Sequence, residues 1–181
     1  MTPDPNTTSE PGGPGPQGGL LRLASESIEP VVKRRHIPLG VEAAFELFTD
    51  GMARWWPLAT HSIAGTEACD VRVDGRIGGR ITETATDGTT HDWAAVLAWD
   101  PPHRLVVAWH PQIDPVAASI VEVRFEPTDT GCRLHLEHRG WEEFGAEVGR
   151  AARDAYDPGW DLVLAPLLDA AAASAQAGRI R

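Results

Sequence analysis

From Cys69 to Arg139 the sequence is a succession of short alternating apolar segments, each closed by a turn signal, and this confines the chain to an antiparallel sheet. Cys69 to Val73 alternates and ends at Asp74-Gly75, a hairpin signal. Arg76 to Thr84 reads as the next strand, with Gly78-Gly79 inside it marking a bulge or a close backbone approach. After Asp87-Gly88, a strand from Asp92 to Trp99 places Trp93, Ala95, Leu97 and Trp99 on one face by simple alternation. Asp100-Pro101-Pro102 closes it. Leu105, Val107 and Trp109 then share a face, as do Val121, Val123 and Phe125, and, after Asp129-Thr130-Gly131, Leu134, Leu136 and His138. With a charged, β-branched first strand over Ile28 to Ile37, seven strands are expected.

Helical patterns flank this run. Val41, Ala44, Phe45 and Phe48 recur at i, i+3, i+4 and i+7, an amphipathic helix ended by Thr49-Asp50-Gly51. A short piece then carries Trp55-Trp56-Pro57. At the far end, Trp141 to Ala155 reads as one helix with an acidic face, and Asp157-Pro158-Gly159-Trp160 as the start of another. The apolar stripe Trp160, Val163, Leu164, Leu167, Leu168 and Ala171 crosses Pro166, where a kink is expected. A seven-stranded antiparallel sheet curls because strands twist, and a helix laid in the concave face buries it. One helix seldom fills such a groove, so a cavity is expected between the two. The fold class is therefore α+β: a curved antiparallel sheet around a long C-terminal helix, with a short helical segment between the first two strands.

Residues 1–26 read as a disordered tail. Pro11 to Gly19 is almost entirely Pro and Gly and cannot bury enough surface to offset its ordering entropy, although Leu20, Leu21 and Leu23 have the character to dock. The domain is expected over residues 27–176, with a C-terminal tail at 177–181. A formal net charge of -10 argues against nucleic acid or an anionic membrane as partner. Lys33-Arg34-Arg35 is the one basic run, and alternation splits it between two faces of a solvated strand. Cys69 and Cys132 show no metal-ligand spacing and are expected as buried thiols in a reducing compartment; no stretch is long and apolar enough to span a membrane, and no signal-peptide pattern opens the chain. A cytoplasmic location is expected, without a metal or cofactor.

Several pieces in order carry a resemblance. They are the helix with Val41, Phe45 and Thr49-Asp50; Trp55-Trp56; Val73-Asp74 leading to Gly78-Gly79-Arg80; and Trp99-Asp100-Pro101-Pro102-His103-Arg104-Leu105 with Trp109. Leu134 to Gly140, in an L-x-x-x-H-x-G pattern, and Gly159-Trp160 ahead of Leu164 and Leu167 complete the set. Over residues 28 to 173 the chain resembles the heat-shock protein 90 ATPase activator-like family, within the SRPBCC superfamily of START and Bet v 1-type helix-grip folds. That superfamily includes lipid carriers, hormone and metabolite binders, polyketide cyclases and co-chaperone domains, so the resemblance implies the fold and leaves the function open.

Seven Trp beside one Tyr and four Phe make the tryptophans the first candidates for a ligand wall. The expected lining is Trp55, Trp56, Trp93, Leu97, Trp109, Leu136, His138, Leu164 and Leu167. Trp55 and Trp56 border the pocket mouth in the helix-grip fold. Three groups are candidates for acid–base chemistry. His138 lies on the face of Leu134 and Leu136, His61 in the loop after the Trp pair, and Glu83 on the strand face of Ile77, Gly79 and Ile81 as a buried acid in need of a partner. Each has a structural reading beside it, a side chain bonded to its neighbours. Asp154, Asp157 and Asp161 read as a solvated cap region. The leading expectation is binding of a small hydrophobic or aromatic molecule. The alternatives are a cyclase, dehydratase or hydrolase on the same fold, or a chaperone-linked interaction module using the acidic segment around Glu142, Glu143 and Glu147.

Overall fold

The computed structural model describes residues 27–111 and 117–178. The expected tail over 1–26, with its three leucines, and positions 179–181 of the expected C-terminal tail lie outside those residues. The elements are β1 (Val31–Ile37), α1 (Val41–Phe48), α2 (Met52–Trp55), β2 (Ala68–Val73), β3 (Arg80–Ala85), β4 (Thr90–Asp100), β5 (Arg104–Trp109), β6 (Ser119–Thr128), β7 (Gly131–Arg139) and α3 (Ala146–Gly178). Short 3₁₀ turns at Gly65–Glu67 and Trp141–Phe144 precede β2 and α3. The seven strands form one sheet in the order β1-β7-β6-β5-β4-β3-β2, with every neighbouring pair antiparallel. β2 to β7 are a meander. The chain reaches its far edge by crossing from β1 through α1 and α2.

Alternation sorts β6 and β7 as the sequence implies. Val121, Val123 and Phe125 of β6 are buried, as are Cys132, Leu134, Leu136 and His138 of β7. Phe45 and Phe48 of α1 meet Phe125 edge-on at 5.7 and 5.6 Å. The α3 stripe of Trp160, Val163, Leu164, Leu167 and Ala171 is buried in the same core. This is the expected α+β helix-grip architecture. Among the described residues no helix is long and apolar enough to cross a membrane, and no cluster of three or more His, Cys, Asp or Glu is placed to hold a metal ion.

Local departures from the sequence reading each have a cause. Arg76 to Gly79 is a turn, not strand. Gly78 has φ 78°, and a Cβ on Gly79 would fall 2.1 Å from the Asp74 carbonyl oxygen, so the paired glycines permit a tight loop ahead of β3. Ile77 is thereby 70% exposed instead of facing inward with Ile81. β4 carries two register shifts, one at its pairing with β3 and one at its pairing with β5. They break simple alternation: Ala94 and Val96 are buried, and Leu97 is 48% exposed. Leu97 is therefore corrected to the outer surface. The two expected C-terminal helices are one, running through both Pro158 and Pro166. The carbonyls these prolines strip of a donor belong to Asp154 and Leu162, both exposed, so the lost bonds fall on the solvent side of the helix. Cys69 is exposed, whereas Cys132 is buried as expected.

The basic run is also not simply solvated. Lys33 is only 9% exposed. Its ammonium lies 2.6 Å from Asp157 and 2.9 Å from Asp161, and Arg35 also pairs with Asp161. The expected cap carboxylates thus clamp α3 to the edge strand β1. The Lys33 hydrogen bond holds the Asp157 carboxyl below its ordinary pKa. A carboxylate depressed in the folded state stabilises fully above its unfolded pKa, near ~4, and loses that contribution as pH falls through the folded value. Replacing Lys33→Met is expected to cost about 1 kcal/mol in urea unfolding at pH 7. The difference from wild type should fade below about pH 4 as Asp157 takes up a proton.

Candidate functional site

α3 does not fill its groove. Beside it lies a cavity of about 370 Å³ floored by the buried indoles of Trp56, Trp93, Trp109 and Trp160. Its walls are the loop residues 61–63 on one side and Ala155, Tyr156 and Gly159 of α3 on the other. The four indoles touch one another. Trp56 lies 5.0 Å from Trp93, 6.0 Å from Trp109 and 6.1 Å from Trp160, and Trp109 is 6.0 Å from both Trp93 and Trp160. Offset and edge-on contacts at these distances add about 0.5–1.5 kcal/mol per pair to the apolar burial.

Each of these rings is oriented by its N–H. Trp56 Nε1 donates to the His61 carbonyl at 2.6 Å, and Trp109 Nε1 to the Tyr156 hydroxyl oxygen at 3.0 Å. Trp93 Nε1 donates at 2.7 Å to Glu83, which is 0% exposed. The same carboxylate accepts the backbone N–H groups of Ile63 and Ala64 at 2.8 and 2.7 Å. Glu83 is thus the buried acid anticipated from sequence, and its partners are three N–H donors that fix a cavity wall and a floor ring together. Among the described residues no cation pairs with it, and it does not line the cavity.

His138 is likewise committed at both nitrogens. Trp160 Nε1 donates to its Nδ1 at 3.0 Å, so Nε2 carries the proton and donates to Ser119 Oγ at 2.7 Å. Ser119 in turn donates to the Trp109 carbonyl. Burial pushes the imidazole pKa down to about 3, and its ring packs against Trp141 at 4.0 Å. A neutral imidazole with no free nitrogen is a poor general base.

Of the residues expected as lining, Trp56, Trp93 and Trp109 border this cavity, and so does His61, the acid–base candidate. Trp55 is buried behind Trp56 and donates to the Leu47 carbonyl. Leu136, His138, Leu164 and Leu167, all 0% exposed, fill the packed part of the groove, and Leu97 faces outward. Sequence reasoning undervalued Trp160, which packs among the cage indoles, and passed over Tyr156 entirely. A Tyr four residues ahead of Trp160 on one helix face was the available signal.

Two predictions follow from these bonds. In Glu83→Gln the amide NH2 faces N–H donors, and we expect a loss of about 2–3 kcal/mol in urea unfolding. For His138, the depressed value means full stabilisation above the unfolded pKa near ~6.5, lost progressively as pH falls toward 3. Between pH 6.5 and 5, wild type should lose about 2 kcal/mol more than His138→Gln.

Three solved structures show how widely the architecture recurs. A protein of Mesorhizobium loti is 23% identical with a TM-score of 0.58, covering 78% of this chain and 95% of its own. The Aha1 dimer from Colwellia psychrerythraea is 18% identical with a TM-score of 0.58, covering 79% and 96%. An anthrahydroquino-γ-pyrone synthase, solved in a complex, is 29% identical with a TM-score of 0.55, covering 79% and 97%. No curated protein matches the sequence. The family model described as activator of Hsp90 ATPase homolog 1-like protein matches residues 39–172, from just before α1 to near the end of α3. The chain belongs to that family, as the ordered motifs from Val41 to Leu167 had implied.

Proposed function

We propose that the protein binds a small, flat, hydrophobic or aromatic molecule in the cavity beside α3. The observation that carries this reading is the four-indole floor of a 370 Å³ space, a volume within the range of small-molecule sites. With its N–H bonded inside the protein, each ring offers a π-face and little polarity. That suits an aromatic guest, and the indoles offer a highly charged one nothing to pair with. The similarity to an anthrahydroquino-γ-pyrone synthase supports the same class of guest.

A second reading, an acid–base enzyme, has one observation in its favour. His61 lines the cavity with Nδ1 tied to Thr60 Oγ1 at 2.8 Å, and Nε2 has no partner among the described residues. Under that reading, turnover assigned to the protein falls by about 100-fold or more in His61→Ala while guest affinity holds. Equal turnover would remove His61 from the chemistry.

Gly159 supplies the direct test of binding. It borders the cavity, and a Cβ built on it meets no atom within 4 Å. Gly159→Leu therefore projects into the open space and removes a helix-interior glycine, which alone is worth about 0.8–1 kcal/mol. Calorimetric titration of wild type with anthracene-2-sulfonate should give one site with a Kd on the order of 100 μM or tighter. Gly159→Leu should be at least as heat-stable and bind at least tenfold more weakly. Equal affinity in the two proteins would place the guest elsewhere.

A further inference from the structure

We propose that Tyr156 is the specificity residue of this cavity and that the guest is a polycyclic aromatic ketone or quinone whose carbonyl oxygen accepts the Tyr156 hydroxyl proton. This rests on the binding reading above and sharpens it to a chemical class.

The N–H groups of Trp56, Trp93, Trp109 and Trp160 are all spent on protein acceptors, so the floor has no donor left for a guest. Tyr156 differs. Its oxygen accepts the Trp109 N–H, but its own hydrogen meets no acceptor among the described residues. Burial raises the phenol pKa above its ordinary value and the Trp109 bond only partly offsets this, so at neutral pH the group is a neutral donor. It borders a wall that is otherwise mostly apolar.

The phenol is also held in place. Its ring lies 4.8 Å from the His138 imidazole and 5.3 Å from the Trp141 indole, and its oxygen is tied across the groove to β5. The hydrogen can swing about the C–O bond while the oxygen stays fixed, so little order remains to be lost on binding. A carbonyl answers this donor better than a hydroxyl does. Its lone pairs lie in the plane of the fused rings, so a guest stacked on the indoles presents them edgewise. A guest hydroxyl in the same place could accept from Tyr156 but would find no indole acceptor for its own hydrogen, and a buried donor left unpaired weakens binding.

The test uses two probes with the same ring frame and charge, anthraquinone-2-sulfonate and anthracene-2-sulfonate, titrated calorimetrically into wild type and Tyr156→Phe. The ratio of the two affinities in one protein divided by that in the other cancels the probes' different hydration. We expect Tyr156→Phe, which strips the Trp109 N–H of its acceptor in both complexes alike, to reduce this ratio about tenfold. Retained anthracene affinity in the variant shows that its cavity is intact. A ratio unchanged by the substitution overturns the proposal and leaves the aromatic-binding reading standing. Failure of wild type to bind either probe overturns both. The infrared carbonyl stretch of quinone bound to wild type gives a readout that needs no variant. Displacement to lower frequency than in apolar solvent supports the hydrogen bond, and an undisplaced band overturns it.

Discussion

An indole withdrawn from water must find an acceptor for its one N–H, because an unmade hydrogen bond costs more than a made one gains. Most of this structure is organised around that requirement. Trp93 is answered by Glu83, and Trp160 by His138. Trp109 is answered by Tyr156, and Trp55, Trp56 and Trp141 by backbone carbonyls. Glu83 and His138 matter most, because each does more than accept. The carboxylate also pins the loop at Ile63 and Ala64, and the imidazole passes its second bond through Ser119 to the carbonyl of Trp109. Two polar side chains with no exposed surface thus orient the ring of Trp93 on β4 and that of Trp160 on α3, and tie in the loop at Ile63 and Ala64 and the backbone of β5. Their residue types suggest catalysis, but their bonds assign them to scaffolding.

The position of the cavity follows from how α3 meets the sheet. Toward its C-terminal half Leu164, Leu167 and Ala171 interlock with the sheet and leave no space. One to two turns earlier the helix presents Gly159, which has no side chain, and Ala155, whose methyl group is too short to cover the indole floor. The ion pairs from Lys33 and Arg35 to Asp157 and Asp161 fix this part of the helix against β1 from the other side. The groove is therefore packed at one end and open at the other. A sheet that curls around a single helix provides the groove; the particular side chains on α3 decide which part stays empty.

The sheet was legible because alternation in β6 and β7 is unbroken and the turn signals between strands are strong. The family was legible for a related reason, since its motifs sit at those turns and strand ends. What sequence obscured was local. Simple alternation cannot register a bulge, so Leu97 seemed to face inward, and paired glycines suited a strand interior as well as the turn they make. Pro158 suited the first position of a new helix and Pro166 a kink, because whether solvent can satisfy a freed carbonyl depends on which side of the helix faces out. At the site, Trp56, Trp93 and Trp109 were found because aromatic residues in a groove are conspicuous. For His138 and Glu83 sequence left a catalytic and a structural reading side by side, because partners such as Trp160 and Ile63 lie 20 or more residues away in the chain. Tyr156 escaped notice for the converse reason: its hydroxyl hydrogen meets no acceptor among the described residues, which shows only once the surrounding bonds are placed.

In the proposed mode of binding, Trp56, Trp93, Trp109 and Trp160 present their faces to a guest while their N–H groups stay bonded to the protein. The most direct measurement is the indole region of a ¹H–¹⁵N spectrum recorded with and without saturating anthracene-2-sulfonate, followed by solvent exchange of the same protons. The account predicts ring-current displacement of those four resonances, little change at Trp55 and Trp141, and slow exchange retained throughout. Displacement confined to other indoles, or rapid exchange of the four N–H groups on binding, would contradict it.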